Sequence, residues 1–321
     1  MRIWNIYQQA IDMGIGSDPR GREAVLESLR DRQADYHALP EAEALHFDKE
    51  MLHNPYPDTR LLYGEPTTTV RHVFMGIDIG PAELMLVDRL NQQGADIDLV
   101  IAHHPEGIAL TTLAEAMALQ TDMFSCCGVA VNVAEQILQG EAEKTTVSIV
   151  VENYNRSVDM ARLLNLPFMC VHTPTDNLVQ QFWEQRFAAA APRRISEIMA
   201  MLEAEPEYAE AHKYAAGPML LAGSERNRPG KIMVDMTGGT DAGPTLYGKL
   251  EQAGVGTIVA MHMSNGTLEI LQKQHINVIL AGHMSSDSLG INLFLDALEA
   301  QGVKVTAGSG LTRFSRLEQG A

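Results

Sequence analysis

A strand–helix–strand pattern over residues 69–104 constrains the fold more than any other feature of the sequence. The run TVRHVFMGIDIG is β-branched and apolar and closes on glycine, and DIDLVIAHH is a second apolar strand. Between them, PAELMLVDRLNQQGA has proline in a first helical turn and glycine at its end. Two strands joined by a helical crossover form a βαβ unit, which builds a parallel sheet. The sequence therefore predicts an α/β fold.

The same alternation returns in the C-terminal third of the chain. KIMVDMTGG, GTIVAMHMS, NVILAGHMS and VKVTAG are predicted strands, and PTLYGKLEQAG, TLEILQKQH and DSLGINLFLDALEAQG are predicted helices. Between residues 129 and 170 we predict a helix, a strand at TTVSIVV and a second helix. We thus expect two α/β lobes with mixed, mostly parallel sheets. The predicted division is a helical extension (1–60), a first lobe (61–176), a helical connection (177–215) and a second lobe (216–321).

Histidine follows four of the apolar strands. The strands ending LVIA, FMCV, TIVAM and VILAG are followed by His103 and His104, His172, His262 and His283. A single histidine at a strand end often only bonds a nearby backbone carbonyl. In parallel α/β sheets, however, ligand sites lie outside the carboxyl ends of the strands. Five histidines at four such ends therefore indicate a functional site.

Two of these strand ends also carry a carboxylate four residues on, in the segments HTPTD and HMSSD. His172 and Asp176, and likewise His283 and Asp287, face the same way on a first helical turn. Both aspartates could instead act as helix caps or first-turn acids.

Imidazole and carboxylate ligands without thiolate suit Zn, Fe, Mn, Co or Ni. Five residues supply such ligands: His103, His104, Asp176, His283 and Asp287. Adjacent side chains on an extended strand diverge, so His103 and His104 more readily serve two ions than one. The pattern predicts two divalent transition-metal ions roughly 3.5 Å apart, a centre that can bind and activate a hydroxide.

Composition narrows the function classes. The 321 residues carry 41 acids against 24 bases, a formal net charge of −17, which disfavours non-specific binding to nucleic acid. The longest apolar runs are too short to span a bilayer, so we expect no membrane partner. The three cysteines form no C-x-x-C pair, and their odd number argues against a disulfide framework. We expect a cytoplasmic protein.

The three motifs AHHP, HTPTD and GHMSSD, in this order, resemble the NIF3 family of dinuclear-metal proteins, often labelled GTP cyclohydrolase I type two. The stretch LLYGEP, before the first strand, resembles an early turn of that family. The resemblance covers residues 60 to 310. It implies two intertwined α/β lobes and a homo-oligomer, in the form of a toroidal hexamer with metal sites facing an internal cavity.

The resemblance implies the same five metal ligands: His103, His104, Asp176, His283 and Asp287. The last departs from the family, because aspartate stands where the family has glutamate, with about 1.5 Å less reach. We expect either a shifted backbone or a weaker hold on one ion. His172 and His262 are assigned as catalytic residues that support the ligands or carry protons.

Three functions remain open from the sequence, the third being a nucleotide-binding α/β protein whose histidines are incidental. The first is a metal-dependent hydrolase acting on a small-molecule substrate: a phosphoester, a nucleotide or a cyclic amide. The second is a non-enzymatic metal-binding regulatory or scaffold protein that acts through protein partners. An open coordination position favours the first, and closed coordination favours the second.

Overall fold

Two sheets organise the computed structural model, which describes residues 1–317. The strands are β1 (Arg60–Tyr63), β2 (His72–Gly76), β3 (Leu99–Ala102), β4 (Phe168–Cys170), β5 (Met219–Ala222), β6 (Lys231–Asp235), β7 (Val255–Ala260), β8 (Asn277–Leu280) and β9 (Lys304–Gly308). The first sheet has the order β1-β4-β3-β2-β9, and the second has the order β5-β8-β7-β6. In each sheet one edge strand, β1 or β5, is antiparallel, and the other strands are parallel. The predicted α/β class with mixed, mostly parallel sheets is confirmed.

Helices cover both sheets and fill the space between them. They are α1 (Ile3–Ser17), α2 (Arg22–Ala38), α3 (Glu41–Ala44), α4 (Pro81–Gln92), α5 (Ile108–Thr111), α6 (Leu113–Ala116), α7 (Ala118–Cys126), α8 (Val131–Ile149), α9 (Arg156–Leu164), α10 (Thr173–Ala190), α11 (Ile195–Glu203), α12 (Pro206–Ala211), α13 (Pro244–Tyr247), α14 (Asn265–Lys273) and α15 (His283–Glu299). Two short 3-10 helices span Lys49–Leu52 and His212–Tyr214. Within residues 1–317, no helix combines the length and the apolar character that a bilayer crossing requires.

Each of two long helices follows a strand of one sheet and packs against the core of the other. Helix α10 leaves the first sheet after β4 and packs Trp183 against residues of the second sheet. Helix α15 leaves the second sheet after β8 and packs Phe294 into the core of the first. The chain then adds β9 to the first sheet beside β2. The lobes are therefore intertwined, and the C-terminal segment supplies strands to both sheets.

The N-terminal segment is helical, as predicted, and helix α1 belongs to the core of the first lobe. Ile3, Ile6 and Ile11 are fully buried and recur at helical spacing. Burying these three isoleucine side chains contributes several kcal/mol, on the order of 2 kcal/mol each, to the stability of the fold. Helix α1 thus contributes to the stability of the lobe and also covers the start of α10.

Two local predictions in the middle and the C-terminal third are corrected. The segment TTVSIVV, predicted as a strand, continues helix α8 to Ile149. Val147 and Val151 are mostly exposed, so no sheet buries these residues, and the good helix formers EAEK before them carry the helix onward. The helix predicted over PTLYGKLEQAG is shorter, because α13 ends at Tyr247 and turns follow.

Candidate metal centre

The strand-end histidines and their carboxylates converge between the two lobes. His103 and His104 follow β3, and His172 lies between β4 and α10. His283 is the first residue of α15, which arrives from the second sheet. Ring centroids of His103 and His172 lie 4.8 Å apart, and those of His104 and His283 lie 5.2 Å apart. The exchange of α10 and α15 thus brings residues that are distant in the chain to one point.

Three of the imidazoles are oriented in the same manner. Nδ1 of His103 lies 3.1 Å from the carbonyl oxygen of Val171. Nδ1 of His104 lies 2.7 Å from Oδ1 of Asp78. With Nδ1–H donating to these acceptors, the neutral form of each ring presents an unprotonated Nε2 to the centre.

His172 follows the same rule with a fully buried partner. Its Nδ1 lies 2.8 Å from Oδ2 of Asp58, which also accepts a hydrogen bond from the hydroxyl of Thr173 at 2.6 Å. A carboxylate that holds the far nitrogen of an imidazole is a recurrent support of metal-ligating histidine, because it fixes the ring and raises its basicity.

Asp287 occupies the middle of the cluster. Its Oδ1 lies 3.6 Å from Nε2 of His103. Its Oδ2 lies 3.6 Å from Nε2 of His104 and 3.5 Å from Nε2 of His283. Ligand atoms about 2.0–2.1 Å from one tetrahedral ion are about 3.3 Å apart, so these separations match neighbouring ligands of one ion. The two oxygens of Asp287 face different imidazoles, as a carboxylate shared by two sites would.

Asp176 forms the other side of the cluster. Its Oδ1 lies 3.5 Å from Nε2 of His103, and its Oδ2 lies 3.8 Å from Nε2 of His172. Ligand atoms of His103, His172 and Asp176 all lie within 4.8 Å of one another, and so do those of His103, His104 and Asp287. The structure therefore offers two overlapping groups that could hold a metal ion.

Several atoms at this point are buried without a hydrogen-bond partner among residues 1–317. They are Nε2 of His103, Oδ1 of Asp176 and both carboxylate oxygens of Asp287. A buried polar group without a partner is costly, and a buried charge more so. That cost is removed if these converging atoms coordinate a cation, so the residues present fit a metal centre.

The pKa values of His172 and Asp176 in the first group are both raised, for different reasons. Burial alone would lower the pKa of His172, but Asp176 and Asp58 outweigh it and raise the pKa to about 9. Burial raises the pKa of Asp176 to about 6, although His172 and His103 oppose this. Asp58 stays ionised despite its burial, since its hydrogen bond from His172 holds the pKa of the carboxyl below its ordinary value.

Burial and neighbouring charges also shift the pKa values of Asp287, in the second group, and of the adjacent His283. Burial opposes ionisation of Asp287, but His103, with His104 and His283, holds the pKa of this carboxyl well below its usual range. Burial lowers the pKa of His283 to about 4. Strongly interacting ionisable groups of this kind concentrate at functional sites.

Four of the five residues predicted as ligands lie within the two groups. The fifth, His283, lies beside the second group, with Nε2 3.5 Å from Oδ2 of Asp287. The two predicted catalytic histidines differ in position. The ligand atoms of His172 lie inside the first group. His262 lies outside both groups, with its ring 5.0 Å from that of His283, and burial lowers the pKa of His262. Asp58 and Asp78 were not identified from the sequence. Asp58 lies just ahead of LLYGEP, which was the nearest available signal.

A cavity of about 250 Å³ opens beside the cluster. His104, His172, Asp176 and His283 form one part of its wall. The second lobe contributes Asp235, Met236, Tyr247, Met261 and His262 to the rest. A small molecule in this cavity would contact both the candidate ligands and side chains of the second lobe.

Comparison with known proteins identifies relatives among solved structures. The crystal structure of a NIF3 superfamily protein from Sphaerobacter thermophilus is 30% identical, with a TM-score of 0.71 over 79% of this chain and 92% of that one. A Bacillus cereus protein related to NIF3 is 12% identical, with a TM-score of 0.41 over 81% of this chain and 91% of that one. A protein from Thermus thermophilus is 13% identical, with a TM-score of 0.43 over 81% of this chain and 89% of that one.

No family model and no curated protein matches the sequence. The family resemblance carried by AHHP, HTPTD and GHMSSD is nevertheless confirmed, because the Sphaerobacter protein is similar over almost its whole length. The chain belongs to the NIF3 superfamily.

Proposed function

We propose that the chain holds two divalent transition-metal ions and acts as a metal-dependent hydrolase. His103, His172 and Asp176 would hold one ion, and His104 and His283 the other. Asp287 would be shared, since its Oδ1 faces His103 and its Oδ2 faces His104 and His283. In this arrangement His172 is a ligand more readily than a proton carrier, because its Nδ1 is already engaged by Asp58.

The observation that carries the proposal is the set of unpaired buried atoms on His103, Asp176 and Asp287. Their convergence with anchored imidazoles has no structural benefit without a cation. The donors are nitrogen and oxygen only, which supports Zn, Fe, Mn, Co or Ni.

Bound ions of this kind polarise a substrate oxygen and lower the pKa of coordinated water. The chain itself supplies a small cavity for a phosphoester, a nucleotide or a cyclic amide. The lowered pKa of His262 keeps its imidazole neutral near pH 7, so it can accept or donate a proton at the cavity wall.

The first experiment is elemental analysis of freshly purified protein and of His104→Ala. We expect about two ions per chain in the parent and a clear loss in the variant without unfolding, because His104 is only partly buried. His37→Ala is the control, since His37 is exposed and lies outside the cluster. Full metal occupancy in His104→Ala would remove this residue from the site.

The second experiment measures turnover of phosphoesters, nucleotides and cyclic amides with the identified ion, before and after chelation. We expect turnover that chelation abolishes and added metal restores. Metal binding without turnover of any of these classes would instead support the non-enzymatic, partner-binding alternative.

The family resemblance also leads us to propose a cytoplasmic homo-oligomer, in the form of a hexamer. Light scattering on the metal-loaded protein tests this assembly, and a monomeric mass at micromolar concentration would contradict it.

A further inference from the structure

A carboxylate of the second lobe faces the cavity without belonging to either group of candidate ligands. Asp235 ends strand β6, at the same sheet edge where His262 follows β7 and His283 follows β8. It is 8% exposed, and it lines the cavity together with Met236 and Met261. This edge is where open α/β sheets bind ligands.

The only hydrogen bond that the Asp235 side chain makes within residues 1–317 comes from a tyrosine. The hydroxyl of Tyr247 donates to Oδ2 of Asp235. The ring of Tyr247 is buried and packs edge-on against Phe124, with centroids 5.2 Å apart, so the hydroxyl is held in place. Oδ1 of Asp235 accepts no hydrogen bond from the described residues, and no basic side chain among them pairs with the carboxylate. Oδ1 is also not among the fully buried atoms, so it is accessible from the cavity that Asp235 lines.

A carboxylate with so little contact with water destabilises the fold unless a further hydrogen-bond donor reaches it. Burial raises the pKa of Asp235 to about 7, with Asp241 adding to the rise and Tyr247 opposing it. A polar group with little contact with water needs a hydrogen-bond partner. Because Asp235 lines the cavity, a molecule in the cavity can supply that partner for Oδ1.

We propose that Asp235, positioned by Tyr247, anchors the small molecule that occupies the cavity by accepting hydrogen bonds from an N–H donor group. The inference rests on the proposed function in one respect: the reacting bond of that molecule would lie at the candidate ligands on the opposite wall. The ligand class is an amide, an amidine or an amine of limited size. A cavity of about 150 Å³ can take a benzene ring, so one of 250 Å³ admits a ring with one polar substituent.

The test uses benzamidine as the probe and methyl benzoate as a probe of similar size without N–H groups. Both are titrated by ligand-observed NMR into the full chain as purified, into Asp235→Asn and into Tyr247→Phe. We expect benzamidine to bind the parent at about millimolar concentration and methyl benzoate to bind less tightly. We expect Asp235→Asn to weaken benzamidine binding about tenfold or more, because the amide oxygen would be occupied by Tyr247 and leave a donor toward the cavity.

Tyr247→Phe should weaken benzamidine binding less, and Asp159→Asn, an exposed carboxylate outside the cavity, should leave it unchanged. Tyr247→Phe also keeps the proposal testable if Asp235→Asn does not fold. Absence of benzamidine binding to the parent at about 10 mM, or equal binding by the parent and both cavity variants, would overturn the proposal.

Metal content and turnover separate this proposal from the proposed function. Among the described residues, Asp235 makes no hydrogen bond with a candidate ligand, so its variant should keep the parent's metal content. If the protein shows no turnover but benzamidine binding depends on Asp235, the hydrolase proposal is contradicted and the role of Asp235 is supported. If the protein shows turnover but benzamidine binding does not depend on Asp235, the hydrolase proposal is supported and the role of Asp235 is contradicted.

Discussion

Gly290 of helix α15 packs directly on the backbone of Thr175 in helix α10. A Cβ added at Gly290 would lie 2.2 Å from the carbonyl oxygen of Thr175. One turn before Gly290, α15 carries Asp287, and next to Thr175, α10 carries Asp176. The close approach of the two helices therefore lets both short carboxylates reach Nε2 of His103. It would allow aspartate to serve at position 287, where the family resemblance implies glutamate.

Gly290→Ala should push α10 and α15 apart. We expect a loss of about 1–3 kcal/mol in the free energy of unfolding, as for overpacking elsewhere, and a lower metal content. Thermal or denaturant unfolding and elemental analysis measure both effects. Gly140→Ala in helix α8 is the matched control, since nothing lies within 4 Å of a Cβ there. That control should stabilise the protein by roughly 0.5–1 kcal/mol, and equal behaviour of the two variants would refute the helix-contact argument.

Asp287→Glu should bind metal less tightly than the parent. The carboxylate of Asp287 already lies 3.5–3.6 Å from three imidazole nitrogens, so an added methylene has to displace them or the helix. At about 1–2 kcal/mol for overpacking, the affinity should fall about tenfold, as measured by competition with a chelator of known affinity. Affinity equal to that of the parent would mean that the helices adjust freely around this position.

The sequence located the candidate ligands because their positions follow from local rules. His103 and His283 follow parallel strands, whose carboxyl ends gather at a sheet edge. Asp176 and Asp287 then follow their histidines by one helical turn. Strand ends and helix starts can be read from apolar periodicity alone, so these residues needed no knowledge of long-range packing.

The supporting residues could not be found in this way. Asp58 reaches His172 only because β1 pairs with β4, a register between segments more than 100 residues apart. The exchange of α10 and α15 depends on which sheet each helix covers, and no local pattern encodes that choice. Asp235 reads as an ordinary strand-end residue until the fold places Tyr247 and the cavity beside it.

Asp58→Asn should weaken metal binding although Asp58 is not proposed as a ligand. Asp58 accepts the Nδ1–H of His172, and loss of a carboxylate that supports a ligating histidine commonly costs about 10- to 100-fold in affinity. Chelator competition measures the change, and the melting temperature of the metal-free protein reports any structural damage. Asp88→Asn, on the outer part of α4, is the control. If both variants retain the affinity of the parent, His172 does not contribute to metal binding.

The metal-free protein should lose stability as the pH rises from 6.5 to 9. In the fold the pKa of His172 is raised from 6.5 to about 9, so protonation of this imidazole stabilises the folded chain. That contribution is complete below pH 6.5 and is lost as the pH rises through about 9. Titration of Asp176, with a pKa of about 6, falls mostly below this window.

Metal-loaded protein should show the opposite trend, because its ligands bind metal only when deprotonated. Melting temperatures at pH 6.5 and 9, with chelator and with added zinc, measure both slopes. Asp58→Asn should flatten the slope of the chelated protein, since it removes one of the three carboxylates that raise the pKa of His172. A chelated parent whose melting temperature is constant or rises over this range would show that His172 is not held as a charged imidazole between Asp58 and Asp176.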